Sequence, residues 1–212
     1  MSTTFAILAY DGIEPIDIGA TFGVFSMAKR IAPELGFFVL SRDGGQVEMA
    51  NGLGLLAQHR FAECPEFDVL IVLGGPGWEA ASNDKQTLKF IRDTSTTISS
   101  VCTGGMILAA AGVLDGLRAT TKREILLGEK RPLDLLGMYD DVDAVEDLIV
   151  DEGAVITGGG VSLGIDLTLY LLERFLGAEV ADETARILEY RHARSANAKA
   201  FGELKARPKT RT

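Results

Sequence analysis

The chain has 212 residues, 47% of them hydrophobic, enough to bury a sizeable core and too many for a disordered segment. A formal net charge of −9 and a pI near 4.8, with no basic stripe before the last dozen residues, exclude nucleic-acid binding by the body of the protein. No apolar run reaches the ~18 residues of a membrane span, and the first residues lack the charged region of a secretion signal, so the expected setting is a reducing cytoplasm.

Residues 5–10 are a short apolar run that reads as a central strand, ended by Asp11-Gly12. Residues 13–19 read as a loop carrying two carboxylates, Glu14 and Asp17, before a helical pattern over 21–31. In a parallel sheet, ligands bind beyond the carboxyl ends of the strands, so both carboxylates are candidates for one crevice. The plainer alternative is a solvated loop acid or a helix cap. Asp17 stands between Ile16 and Ile18 and is the one expected to turn inward. Residues 36–41 read as a second strand, and 46–57 as a hairpin, because Asn51-Gly52 favours the tight turn that joins two strands. His59 reads as a surface residue and Cys64, before Pro65, as structural. Residues 68–73 are the clearest buried strand. Gly74-Gly75-Pro76-Gly77 follows, a turn whose backbone N–H groups can face a ligand, or a plain tight turn. Residues 84–92 form an amphipathic helical pattern.

Next comes a β-branched strand over 96–98, then Ser99-Ser100-Val101-Cys102-Thr103-Gly104-Gly105, then an Ala-rich apolar helix ending at Gly112. A cysteine between a strand and a helix, among small residues, has the layout of a nucleophile elbow. A helix N-terminus lowers a cysteine pKa from ~8.5 to roughly 3.5–7.5, and at ~6 nine-tenths of the thiol is thiolate at neutral pH. The alternative is an inert cysteine packed in the core. Cys64 and Cys102 form no CxxC and have no metal-ligand spacing to His59 or His192, so no metal is expected, and the reaction considered below requires no organic cofactor.

Residues 114–121 read as a turn and short strand, 122–130 as a helix, and 139–143 as a solvated acidic face. A second hairpin over 148–157 leads through Gly158-Gly159-Gly160 to a buried helix over 162–175, and a last helix spans 179–191. One domain is expected over 1–192, and 193–212 reads as a polar, basic, frayed C-terminal tail. Strands alternating with helices make the class α/β, a mostly parallel sheet with helices on both faces.

Ser100-Val101-Cys102-Thr103-Gly104, Leu73-Gly74-Gly75-Pro76-Gly77, the stretch from Gly116 to Thr121, Ile156-Thr157-Gly158-Gly159-Gly160 and Gly164-Ile165-Asp166 together resemble the ThiJ/PfpI superfamily. That superfamily is similar to the class I glutamine amidotransferase domain. The pattern, over about residues 4–190, is nearest that of isonitrile hydratases and of the amidase-like domain of some AraC-type regulators. The resemblance implies a flavodoxin-like three-layer sandwich, usually a homodimer, acting on a small molecule. It implies Cys102 as nucleophile, Asp17 as the catalytic aspartate and Thr103 as the threonine beside the nucleophile. The sequence departs from the hydratase pattern in Ala20-Thr21, where Gly-Pro is usual, and in Lys122-Arg123, where aromatic residues or histidine are common. The reaction so implied is addition of water to an isonitrile through a covalent Cys102 adduct, with the backbone N–H groups of Gly75 and Thr103 holding developing charge. The alternatives are a redox or stress-response protein that oxidises Cys102 reversibly, or a binding domain related to the AraC-type regulators.

Overall fold

An unbroken apolar run suits a strand covered on both faces, and β1 (Thr4–Leu8) is such a strand, buried from Phe5 to Leu8. The computed structural model describes residues 3–204. After β1 come α1 (Pro15–Ile18), a π-helical turn (Gly19–Gly23) and α2 (Val24–Ala28). Then follow β2 (Gly36–Ser41), the hairpin β3 (Gly45–Glu48) and β4 (Gly54–Ala57), β5 (His59–Arg60) and β6 (Val69–Val72). The middle of the chain supplies α3 (Trp78–Ala81), α4 (Lys85–Asp93), β7 (Thr97–Ser100), α5 (Gly104–Ala110), β8 (Arg118–Ala119) and α6 (Pro132–Leu136). The remainder supplies β9 (Asp143–Ala144), β10 (Ile149–Asp151), β11 (Val155–Gly158), α7 (Gly164–Leu176), α8 (Ala178–Ile187), α9 (Arg191–Phe201) and β12 (Glu203–Leu204).

Eight strands form the main sheet in the order β12-β10-β11-β7-β6-β1-β2-β5, and its pairs are parallel except β10 with β11. Successive side chains of a strand face opposite ways. Phe5, Ile7, Val69 and Ile71 therefore pack with Phe25, Leu167 and Leu171, while Ala6, Leu8, Leu70 and Val72 pack with Met106, Ile107 and Leu136. Phe5 stacks on Phe25 with ring centroids 4.4 Å apart. The chain leaves β1 for β2 on one side and returns to β6 on the other. This reversal opens a crevice at the carboxyl ends of β1 and β6, the place where open α/β sheets bind ligands.

Three expectations are corrected. Asp17 is not in a loop: the helix begins at Pro15, whose fixed φ suits the first helical position, and Asp17 sits fully buried in its first turn. Residues 122–130 are irregular, with a turn at 127–128, rather than helical. Gly128 stands at φ 94°, and the backbone carbonyls of Lys122 and Arg123 are taken by Leu133 N–H (3.1 Å) and Arg131 Nε (3.1 Å), so no helical ladder forms. The segment read as a frayed tail is a helix to Phe201, and β12 then pairs with β10; residues 205–212 lie outside the described residues. Among the described residues no helix is long and apolar enough to cross a membrane.

Candidate active site

Cys102 lies between β7 and α5 at φ 56°, a left-handed backbone that a side chain adopts only under constraint. The sharp turn needs small neighbours: a Cβ on Gly74 would stand 2.5 Å from Thr103 N and 2.7 Å from Cys102 Cβ. Cys102 N–H donates to Gly159 O at 3.2 Å, and the sulfur accepts the backbone N–H groups of Thr103 and Val161. Val161 is itself left-handed, at φ 59°. For a β-branched residue this is an outlier, of the kind that clusters at functional sites. Nothing in the sequence reading pointed to Val161; the glycine run before it was the only signal.

The expectation of a low thiol pKa is overturned. Cys102 is 3% exposed, and burial, then the nearby Asp17 carboxylate, push its thiol up to about 12. The two N–H groups and Lys122 pull the other way and lose. A short helix N-terminus does not compensate for taking a thiolate out of water.

Asp17 is pushed up to about 7, first by burial and next by Glu14, against the Gly74 N–H, the Cys102 thiol and Lys122, which favour its charged form. Its Oδ2 accepts Gly74 N–H at 3.0 Å, while Oδ1 is buried without a conventional hydrogen-bond partner. The carboxyl and the thiol thus form a buried, interacting pair in which the sulfur holds its proton to higher pH than the carboxyl does. Tyr10 stands behind them: its hydroxyl donates to Leu73 O at 3.0 Å, and burial with both acids holds it protonated.

Gly75 and Thr103 meet, but differently from the expectation. Gly75 N–H donates to Thr103 Oγ1 at 2.9 Å, so in the resting site it is engaged and does not face an incoming anion. Glu14 lies at the start of α1 with its backbone N–H on Gly74 O (2.9 Å), and its side chain lines the site. A cavity of about 590 Å³ opens over the sulfur, its lining including Glu14, Gly75, Cys102, Thr103, Lys122 and Val161. Trp78, Ile125, Pro132 and Leu135 form the apolar wall. Arg123 is not in the lining. Neither histidine lines it: His59 packs edge-on against Phe38, and His192 is exposed at the start of α9. Cys64 is partly buried elsewhere, its thiol donating to Pro65 O at 3.3 Å.

Comparison with known proteins finds relatives in sequence and in fold. A profile of the DJ-1/PfpI family matches residues 3–174. Isonitrile hydratase of Pseudomonas putida is 32% identical over 193 residues, 90% of this chain and 79% of that protein. The HTH-type transcriptional regulator CdhR of Pseudomonas aeruginosa is 28% identical over 184 residues, 85% of this chain and 53% of the regulator, so the chain spans about half its length. A ThiJ/PfpI family protein from Pseudomonas syringae superposes with a TM-score of 0.77 at 25% identity, covering 95% of this chain and 88% of the other. Drosophila melanogaster DJ-1beta shares the fold, with a TM-score of 0.76 at 21% identity over 89% of this chain and 98% of its own. The family profile takes in the Asp17 helix, the glycine turn and the Cys102 elbow together, and the chain belongs to the DJ-1/PfpI family.

Proposed function

We propose that the protein hydrates an isonitrile to an N-substituted formamide, with Cys102 as nucleophile and Asp17 as proton carrier. The observation that carries this reading is Cys102 at the floor of a cavity with apolar lining residues, with the fully buried Asp17 carboxyl beside the sulfur. The likeness to the Pseudomonas putida isonitrile hydratase supports it.

The balance runs in two steps. The Cys102 sulfur bonds to the isonitrile carbon as its proton passes to the Asp17 carboxylate and on to the same carbon, leaving a thioimidate, R–N=CH–S–Cys102. Asp17, again a carboxylate, then draws a proton from water as the oxygen adds to that carbon and passes that same proton to the nitrogen, giving R–NH–CH(OH)–S–Cys102. The tetrahedral adduct expels the sulfur, the carbonyl forms, and the last proton returns to the pair. Water is consumed and no electrons are gained or lost, so no oxidant or cofactor enters the balance. The hydrocarbon substituent fits the wall of Trp78, Ile125, Pro132 and Leu135. Thr103 acts through its N–H on the sulfur and through its hydroxyl, which keeps the Gly75 turn in place.

Purified protein mixed with a small alkyl isonitrile tests the reading. Loss of the isonitrile stretch with growth of a formyl proton signal is expected. Unchanged isonitrile, beside reversible oxidation of Cys102 by dilute peroxide, moves the assignment to the redox alternative. The same reading makes the protein a homodimer: sedimentation at micromolar concentration is expected to show twice the chain mass, and a species at 22.7 kDa alone counts against it.

A further inference from the structure

The last helix reaches back to the wall of the active site. In the irregular segment after β8, Lys122 lines the cavity while its neighbour Arg123 is not in that lining and packs against α9 instead. Arg123 is 6% exposed, and its guanidinium carbon lies 3.8 Å from the centroid of the Phe201 ring. Its Nη2 has no hydrogen-bond partner among the described residues, so the ring face is a principal contact for that buried cation. The Glu146 carboxylate is near enough to feel its charge.

Phe201 is itself held from several directions. Asn197 donates to Asp166 at 2.9 Å, and Arg194 pairs with Glu173 at 2.6 Å and Asp182 at 3.0 Å. Just beyond the ring, Gly202 O accepts Leu148 N–H at 3.0 Å, and β12 joins the sheet edge. On the cavity side, the Lys122 ammonium donates to Glu124 O and favours the charged forms of both Cys102 and Asp17. Glu14, Glu79, Glu129 and Lys130 line the same cavity, and Tyr10 lies behind the pair.

We propose that Phe201 is a positioning residue for the active site: its ring clamps Arg123 and so fixes where the Lys122 ammonium stands beside Cys102 and Asp17. The role goes beyond the reaction assigned above and holds for whatever electrophile the thiol takes.

Alkylation of Cys102 by iodoacetamide in the full chain, followed by peptide mass spectrometry from about pH 6 to about pH 10, tests it without any isonitrile. Lys122→Gln is expected to move the rate–pH curve upward, because the thiolate loses a nearby cation. Phe201→Leu keeps apolar bulk but offers no ring face. It is expected to move the curve the same way, slowing Cys102 at least ~3-fold at pH 7, a shift of about half a pH unit. Phe201→Tyr should follow wild type. The double variant should be no slower than Lys122→Gln alone, since both changes act through one ammonium. A Phe201→Leu curve that coincides with wild type overturns the proposal, as does slowing that adds in full to that of Lys122→Gln. Cys64 on the same chains is the reference: an equal change there reports general loosening and also overturns it.

Discussion

Cys102→Ala is expected to remove isonitrile turnover entirely while leaving the fold in place. The sulfur is the nucleophilic atom placed both beside the Asp17 carboxyl and in the cavity lining, and covalent catalysis has no substitute for a missing nucleophile. Alanine keeps the Cβ that already occupies the left-handed position, so the turn adds no new strain. Formamide formation followed for hours by NMR, beside far-ultraviolet dichroism, checks both halves. Turnover at the wild-type rate would sink the nucleophile assignment. Cys102→Ser should also be nearly inactive, because a buried hydroxyl gives up its proton far less readily than a thiol.

Asp17→Asn is expected to lower turnover by roughly 10²–10⁴-fold, the usual worth of a positioned acid–base group. Asparagine keeps the shape and an oxygen for Gly74 N–H but carries no proton between sulfur and substrate. The pH dependence gives the sign. An ordinary aspartate ionises near ~3.9, whereas Asp17 is raised to about 7. Below about 7 it is neutral and cannot take the thiol proton; above, it is ionised and can. The wild-type kcat/KM should therefore climb about tenfold per pH unit on the acid side and level off above, and the limb should vanish in Asp17→Asn. Glu14→Gln should keep the limb and move it slightly lower, since the Glu14 charge is one of the causes that raise Asp17. A limb lost in Glu14→Gln and kept in Asp17→Asn would hand the role to Glu14.

The parts of the site written in local chemistry were legible before any coordinates. Strand, cysteine, paired glycines and an alanine-rich helix have the layout of a tight turn, and Asp17 does turn inward as its neighbours suggest, although Ile16 stays exposed and it is the Gly74 N–H that donates to the carboxylate. Other features depend on what meets what. The helix start at Pro15 is not legible, because a proline soon after Asp11-Gly12 marks a loop as readily as a first helical position. Residues 122–130 are rich in charge, which reads as a helix surface, but they have no apolar stripe and are held open by Leu133 and Arg131. No residue of α9 is fully buried, so its periodicity is faint; polar anchors such as Asn197 and Arg194 hold it instead. The raised Cys102 thiol comes from burial by distant segments, and the engaged Gly75 N–H from a hydroxyl 28 positions away.

The left-handed backbone at Cys102 and Val161 has a bearing on protein engineering. Each such residue costs on the order of 1–3 kcal/mol, against a folding stability of about 5–15 kcal/mol for a typical domain. Glycine at either place would relax the turn, because it has no side chain to crowd there. A library of this protein selected on heat resistance alone should enrich glycine at both positions, and one of those changes deletes the sulfur. Heat tolerance and chemistry compete here for the same two backbone torsions, so stabilising changes are better sought far from the elbow, on the helices that cover the sheet.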